Sequence, residues 1–172
     1  LQLIDSIHAG INASFIAANH RQKRFYAVNE LGGQTSQGIL KSFRYTIPWT
    51  QAVETSSCST MGNDPCHVSI DPKNNMITAA NYSSGNIISI KTNKKGDTEC
   101  HQKINNQHTS EAETTRPRTP HAHQTVTAPF GNFVYACDLG MDAIYVYRIG
   151  HRPFSVNRVH TIKTEPGAGP RH

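Results

Sequence analysis

Residues 66–83 read CHVSIDPKNNMITAANYS, and this stretch decides the fold because two further segments repeat its pattern. Residues 14–31 read SFIAANHRQKRFYAVNEL, and residues 122–139 read AHQTVTAPFGNFVYACDL. Each segment holds an alternating apolar run, a polar turn, a second run and a closing Asn or Asp. Such alternation is typical of half-buried strands, so each segment predicts a β-hairpin.

The hairpins recur with a nearly constant period. Their closing residues Asn29, Asn81 and Asp138 are separated by 52 and 57 residues. A β-sandwich also contains short strands and frequent turns, but it does not require the same residue types to recur at a fixed spacing. The period therefore favours a repeat fold.

Two more strands are predicted after each hairpin. The third strands lie at 39–45, 86–92 and 143–149, and the more polar fourth strands lie near 52–58, 98–104 and 154–163. Four antiparallel strands in about 50 residues are typical of a β-propeller blade. We therefore predict an all-β propeller with blades at residues 12–60, 64–106 and 119–164.

The two ends of the chain extend beyond these three blades. Residues 1–7 are predicted to form the outer strand of a preceding blade, and residues 166–172 to begin the next one. The 172 residues are thus expected to be a fragment of a larger ring.

Composition agrees with strands and limits the partners. Only five of the 172 residues are Leu, whereas Ile, Val and Thr are plentiful. No apolar run approaches the roughly 18–20 residues of a membrane helix, so no membrane association is predicted. The net charge of +5 favours anionic partners, but no run of five basic residues occurs, and nucleic-acid binding is not predicted. The oligomeric state is left open.

The four cysteines, Cys58, Cys66, Cys100 and Cys137, form no CxxC pair and have no zinc-finger spacing. Cys137 lies within an apolar strand and is predicted to be a buried thiol. No signal-like segment is evident, so a reducing, cytoplasmic location is predicted.

One edge of the blades carries the polar groups that are suited to chemistry. In an antiparallel blade, the start of the innermost strand and the end of the second strand lie at the same edge. The loops at this edge contain His67, His121, His123, Arg171 and His172 on the entering side, and Glu30, Asn81 and Asp138 on the leaving side. We predict that these residues meet at one mouth of the central channel.

Several of these residues also have structural interpretations. A repeating histidine such as His67 can donate to a backbone carbonyl and hold the inner strand. Asn81 and Asp138 can cap strand ends, as Asx side chains commonly do. Glu30 differs, because the repeat does not demand a carboxylate there and the equivalent position in the second blade is Tyr82.

His121 and His123 lie two residues apart and would share one side of a strand. That spacing can bind a metal ion, but no third carboxylate or cysteine ligand stands out. We predict no metal site and no cofactor.

The sequence resembles the lactonase family of seven-bladed propellers. The motifs that carry this resemblance are Asn29-Glu30, ANYSSG at 80–85, PHAH at 120–123, DLGMD at 138–142 and PGAGPRH at 166–172. The family includes bacterial propeller-type 6-phosphogluconolactonases and fungal 3-carboxy-cis,cis-muconate cyclases. A seven-bladed ring would require roughly twice the present length.

The resemblance implies hydrolysis of 6-phosphoglucono-1,5-lactone to 6-phosphogluconate, a step of the pentose phosphate pathway, with this small anionic lactone as the partner. His123 is then expected to act as general base and Arg171 to bind the phosphate or the developing oxyanion. His121 or His67 would orient the substrate hydroxyls. The other predicted substrate-binding residues are Glu30, Asn81, Asp138 and His172.

Two alternatives stay open. In the cyclases, the resemblance implies a cluster of His, Arg and Glu, to which His123 and Arg171 would correspond. The Glu of that cluster would follow His172, and Glu30 holds a similar position in an earlier blade. The second alternative is a propeller that only binds a partner; the single Trp49 gives no support for repeated Trp-Asp motifs.

Overall fold

The computed structural model describes residues 3, 6–33, 37–46, 51–71, 73, 75–107, 118–129, 132–150 and 155–172, with the backbone alone for 101–107. Within these ranges the chain forms twelve β-strands and no helix. Consequently, the described residues contain no helix that is long and apolar enough to cross a membrane.

The strands form three antiparallel sheets, and in each sheet the spatial order follows the chain. The first sheet contains β1 (Ala13–Asn19), β2 (Arg24–Asn29), β3 (Ile39–Tyr45) and β4 (Ala52–Ser59). The second contains β5 (Pro65–Asp71), β6 (Met76–Asn81), β7 (Asn86–Thr92) and β8 (Thr98–Gln107). The third contains β9 (Ala122–Thr127), β10 (Phe133–Asp138), β11 (Ala143–Ile149) and β12 (Val156–Lys163). We call these sheets blades 1, 2 and 3.

The predicted all-β propeller architecture is confirmed. All three third strands have the predicted bounds, and β8 extends to Gln107 rather than ending near residue 104. Neighbouring blades touch through their innermost strands, β1 with β5 and β5 with β9. The strand predicted at residues 1–7 lies largely outside the described residues, and residues 3, 6 and 7 belong to no strand.

Blade 2 is apolar on both faces because it packs between two blades. Ile77, Ile88 and Ile90 belong to a buried cluster shared with blade 1. Met76 and Ile87 point the other way, into a cluster shared with blade 3. Successive side chains of a strand point to opposite faces, so one short strand serves both interfaces. Each such buried side chain contributes about 1.5–3 kcal/mol.

Polar contacts also join blades 1 and 2 at the rim opposite the predicted site. The buried Arg24 forms an ion pair with Asp97 (Nη2 to Oδ1, 2.9 Å), and the Tyr26 hydroxyl donates to the Gly96 carbonyl (2.5 Å). Burial raises the pKa of Tyr26 to about 12, so the phenol keeps its donor proton. The β7–β8 turn is thereby fixed against β2.

A disulfide between Cys58 of β4 and Cys100 of β8 joins the outer strands of blades 1 and 2, with the Cα atoms 5.4 Å apart. Cys137 is buried and unpaired, as predicted. The disulfide was not expected from the sequence. Disulfides are rare in the cytosol, so this pairing counts against the predicted cytoplasmic location, which stays a prediction.

The outward faces of blades 1 and 3 expose apolar side chains. Ile16 of β1 is 64% exposed, and the cross-strand neighbours Val126 and Tyr135 of blade 3 are 42% and 39% exposed. These are the faces that neighbouring blades of a longer ring would cover.

Removing the disulfide is expected to destabilise the protein. The double variant Cys58→Ser/Cys100→Ser should lose about 2–4 kcal/mol of unfolding free energy, because the bridge restricts the unfolded chain. Urea unfolding monitored by circular dichroism measures the change.

Reductant provides the control for this experiment. It should lower the urea midpoint of the oxidised wild-type protein and leave that of the double variant unchanged. A wild-type midpoint that does not respond to reductant would contradict a stabilising bridge.

Candidate active site

A buried Asn closes the second strand in blades 1 and 2 and holds the segment that leads into the inner strand. The Asn29 side-chain amide donates to the carbonyl oxygens of Ala9 (3.0 Å) and Ile11 (2.8 Å). The Asn81 amide donates to the Thr60 carbonyl (2.9 Å). These bonds fix the start of each inner strand next to the end of the second strand, which is the predicted shared edge.

In blade 3 the same position is Asp138, and the direction of hydrogen bonding is reversed. Its Oδ1 accepts from the backbone N–H of His121 (2.9 Å) and of Met141 (3.1 Å). Asn81 and Asp138, which we predicted to bind substrate, are fully buried. Their burial and hydrogen bonds support the capping alternative, and the role of both residues in substrate binding stays a prediction.

The turn after Asp138 packs tightly on the segment that carries His121. A Cβ atom at Gly140 would overlap the backbone carbonyl oxygen of Thr119. Only glycine fits at position 140, and this close packing fixes the path of the segment that carries His121.

His123 and Arg171 form the central contact of the site. Nε and Nη2 of Arg171 lie 3.0 and 2.8 Å from Nε2 of His123. A guanidinium only donates, so His123 Nε2 must be the acceptor and the ring proton must sit on Nδ1. That Nδ1 is buried and has no hydrogen-bond partner among the described residues. His123 is therefore a neutral imidazole beside a fixed cation.

The electrostatics of the site favour neutral histidines. Burial, followed by the positive charges of Arg171 and His172, lowers the pKa of His123. Burial, followed by the charges of His172 and His123, lowers the pKa of His67 to about 4. Burial and nearby positive charge thus disfavour protonation of both His67 and His123.

Aromatic rings surround His123. The His172 ring lies edge-on at 5.2 Å between centroids, and the Tyr82 ring lies perpendicular at 5.9 Å. Tyr82 also stacks on His121 at 4.5 Å, and His121 Nδ1 lies 3.1 Å from the Tyr82 carbonyl oxygen. His121 therefore contacts Tyr82 directly. Tyr82, the repeat equivalent of Glu30, was not predicted as a site residue.

His67 packs at the interface between blades 1 and 2. Its ring packs against Phe15 of blade 1 at 4.2 Å between centroids, and only 6% of the residue is exposed. Its Nδ1 has no hydrogen-bond partner among the described residues. His67 thus contributes to the interface between blades 1 and 2 and also lies within electrostatic reach of His123.

Cys66 is a second site residue that sequence reasoning missed. Its thiol lies 3.3 Å from the His123 carbonyl oxygen, where blades 2 and 3 meet. Burial and then the charge of Glu30 raise its pKa to about 12, whereas Arg171 acts in the opposite direction. The charges of Glu30 and Arg171 thus both act on this thiol, and Glu30 directly follows the end of β2 at the predicted edge. The sequence signal that could have identified Cys66 is its position next to His67, a histidine that recurs in the repeat.

The structure thus brings His67, Glu30, His121, His123, Arg171 and His172 to one edge. Within the described ranges, no group of three or more His, Cys, Asp or Glu side chains could hold a metal ion.

A propeller with this arrangement of loops matches a known family. The family model described as lactonase, 7-bladed β-propeller, matches residues 1–172. The chain therefore belongs to the lactonase family of seven-bladed β-propellers.

Individual relatives agree with this membership. A 6-phosphogluconolactonase of Bacillus subtilis is 28% identical over 94% of this chain and 44% of its own length. One of Formosa agariphila is 23% identical over 99% of this chain and 49% of its own length. The solved structure of a periplasmic gluconolactonase of Pseudomonas aeruginosa superposes with a TM-score of 0.82 at 24% identity, covering 98% of this chain and 49% of that chain. The present chain thus spans about half the length of the relatives it matches.

The low pKa of His67 predicts a pH-dependent stability. The unfolded histidine takes up a proton near pH 6.5, whereas the folded one does so only near pH 4. The unfolding free energy should therefore fall as the pH is lowered from 6.5 to 4. Urea midpoints at pH 7 and pH 5 measure this loss.

The variant His67→Gln should show a smaller loss than the wild-type protein. His160→Gln, an exposed position on β12, is the matched control and should keep the wild-type loss. If His67→Gln retained the full wild-type pH dependence, the buried neutral state of His67 would be refuted.

Proposed function

We propose that the protein acts as a lactone hydrolase that opens 6-phosphoglucono-1,5-lactone to 6-phosphogluconate, as in the pentose phosphate pathway. The contact between His123 and Arg171 carries this proposal, because it combines a neutral base with a cation suited to phosphate. Family membership and two curated relatives of that name support a lactonase-type activity.

Substrate binding exposes the base in this proposal. In the structure, the Arg171 guanidinium donates to the lone pair of His123 Nε2. A phosphate offers the guanidinium a charged, bidentate acceptor, which is a stronger partner than a neutral imidazole. When Arg171 moves to the phosphate, Nε2 becomes free to accept a proton from water.

The chemical step then needs few groups. Water attacks the lactone carbonyl carbon while His123 Nε2 takes one of its protons. The tetrahedral intermediate collapses, the ring C–O bond breaks, and the same proton passes from His123 to the departing ring oxygen. The product is the open hydroxy acid. Arg171, bound to the phosphate, keeps a positive charge near the developing oxyanion.

The cyclase alternative requires a proton donor at the mouth of the channel. The lowered pKa values of His67 and His123 keep both rings neutral at pH 7, which favours base chemistry over acid chemistry. We therefore retain hydrolysis as the proposed reaction.

Removing either group should impair hydrolysis of the phosphorylated lactone. His123→Ala is expected to lower kcat by roughly 10²–10⁴-fold, the range for loss of a general base. Arg171→Ala should raise KM for the phosphorylated lactone more than for unphosphorylated glucono-1,5-lactone. Acid release in a pH-stat, corrected for spontaneous opening, measures both.

Arg44→Ala is the matched control, because this exposed arginine lies on β3 in blade 1, outside the site residues. Wild-type rates in His123→Ala and Arg171→Ala would contradict the proposed roles. A wild-type chain that does not exceed the buffer rate would contradict the hydrolase proposal itself.

A further inference from the structure

Asp142 lies in the turn between β10 and β11, and only 6% of the residue is exposed. Its backbone is left-handed (φ 47°), a conformation that favours glycine. The equivalent turn position in blade 2 is Gly85, which has φ 64°. Aspartate is among the few other residues that adopt this conformation, because its short side chain can form hydrogen bonds nearby.

The Asp142 side chain holds the segment that follows β12. Its Oδ2 accepts the Gly167 N–H (2.7 Å), and its Oδ1 accepts the Gly169 N–H (2.8 Å). Its backbone carbonyl accepts the Thr164 N–H (2.9 Å). Both carboxylate oxygens and the carbonyl are therefore bonded to residues 164–169.

Arg118 completes this anchor. Its Nη1 lies 2.7 Å from Asp142 Oδ2, so a cation balances the largely buried carboxylate. The N–H groups of Gly167 and Gly169, together with Arg118, keep the pKa of Asp142 below its usual value. The carboxylate is thus a constant acceptor at neutral pH.

The segment held by Asp142, residues 164–169, leads directly into the candidate site. Arg171 follows Gly169 by two residues, and its guanidinium contacts His123. Gly167 and Gly169 both have positive φ, at +85° and +52°, and glycine adopts many other conformations when nothing holds it. The two bonds to Asp142 therefore determine where the backbone delivers Arg171.

We propose that Asp142 is a positioning residue that holds Arg171 over His123. This inference rests on the proposed function for its catalytic meaning, and Asp142 itself touches neither substrate nor reacting atoms. Asp138 plays the corresponding part for the His121 segment, so two carboxylates of one turn fix the two segments that form the site.

The test uses Asp142→Gly, which suits the left-handed backbone and removes the carboxylate together with its β-carbon. NMR titration of the His123 ring is the first readout, and it does not depend on turnover. Arg171, His172, His67 and Tyr82 are the groups that face this ring. Release of Arg171 should raise the pKa of His123 towards its ordinary value of 6.5.

Turnover of the phosphorylated lactone is the second readout. Asp142→Gly should raise KM in the same direction as Arg171→Ala, and the variant carrying both changes should match Arg171→Ala within about twofold, because the two act through one contact. Arg118→Gln, which leaves Asp142 in place, should give a weaker effect of the same sign and serves if Asp142→Gly fails to fold.

The outcomes separate the two proposals. If the wild-type protein shows no lactonase activity but Asp142→Gly still raises the pKa of His123, the positioning role stands and the proposed function is refuted. An unchanged His123 pKa in folded Asp142→Gly, or in Arg118→Gln if that variant alone folds, would overturn the positioning role, whatever the activity.

Discussion

The hydrogen bond from the closing Asx residue to the segment entering the inner strand is the constraint on which the site depends. Asn29, Asn81 and Asp138 each make it, by donating an amide to a carbonyl in blades 1 and 2 and by accepting an N–H in blade 3. A buried polar side chain that lost these bonds would destabilise the fold, so the geometry is strongly held. Because it brings the ends of two strands together in every blade, it also gathers the loops at one mouth.

The sequence pattern predicted the strands of the three blades and the edge of the blades at which the candidate site residues lie. Alternating apolar residues define β5, a largely apolar run defines β6, and the repeat predicts His123 and Arg171 at the same mouth before any coordinates are known. It could not distinguish capping from binding at Asn81 or Asp138, since both uses favour the same residue types at a strand end.

Contacts between blades were the part that the sequence did not reveal. The bond between Cys58 and Cys100 and the ring of Tyr82 against His121 join separate repeats. Their distances depend on how sheets pack, which a local pattern does not encode. The anchoring role of Asp142 was hidden for the same reason, because its partners lie 25 and 27 residues away.

His123 is a neutral imidazole whose Nε2 accepts from Arg171, and the proposed chemistry depends on this state. The ¹⁵N chemical shifts of the His123 ring at pH 7 test it most directly. We predict a protonated Nδ1 and an unprotonated, hydrogen-bonded Nε2, with the Nε2 shift changing in Arg171→Ala. A doubly protonated ring, or a proton on Nε2, would contradict the account.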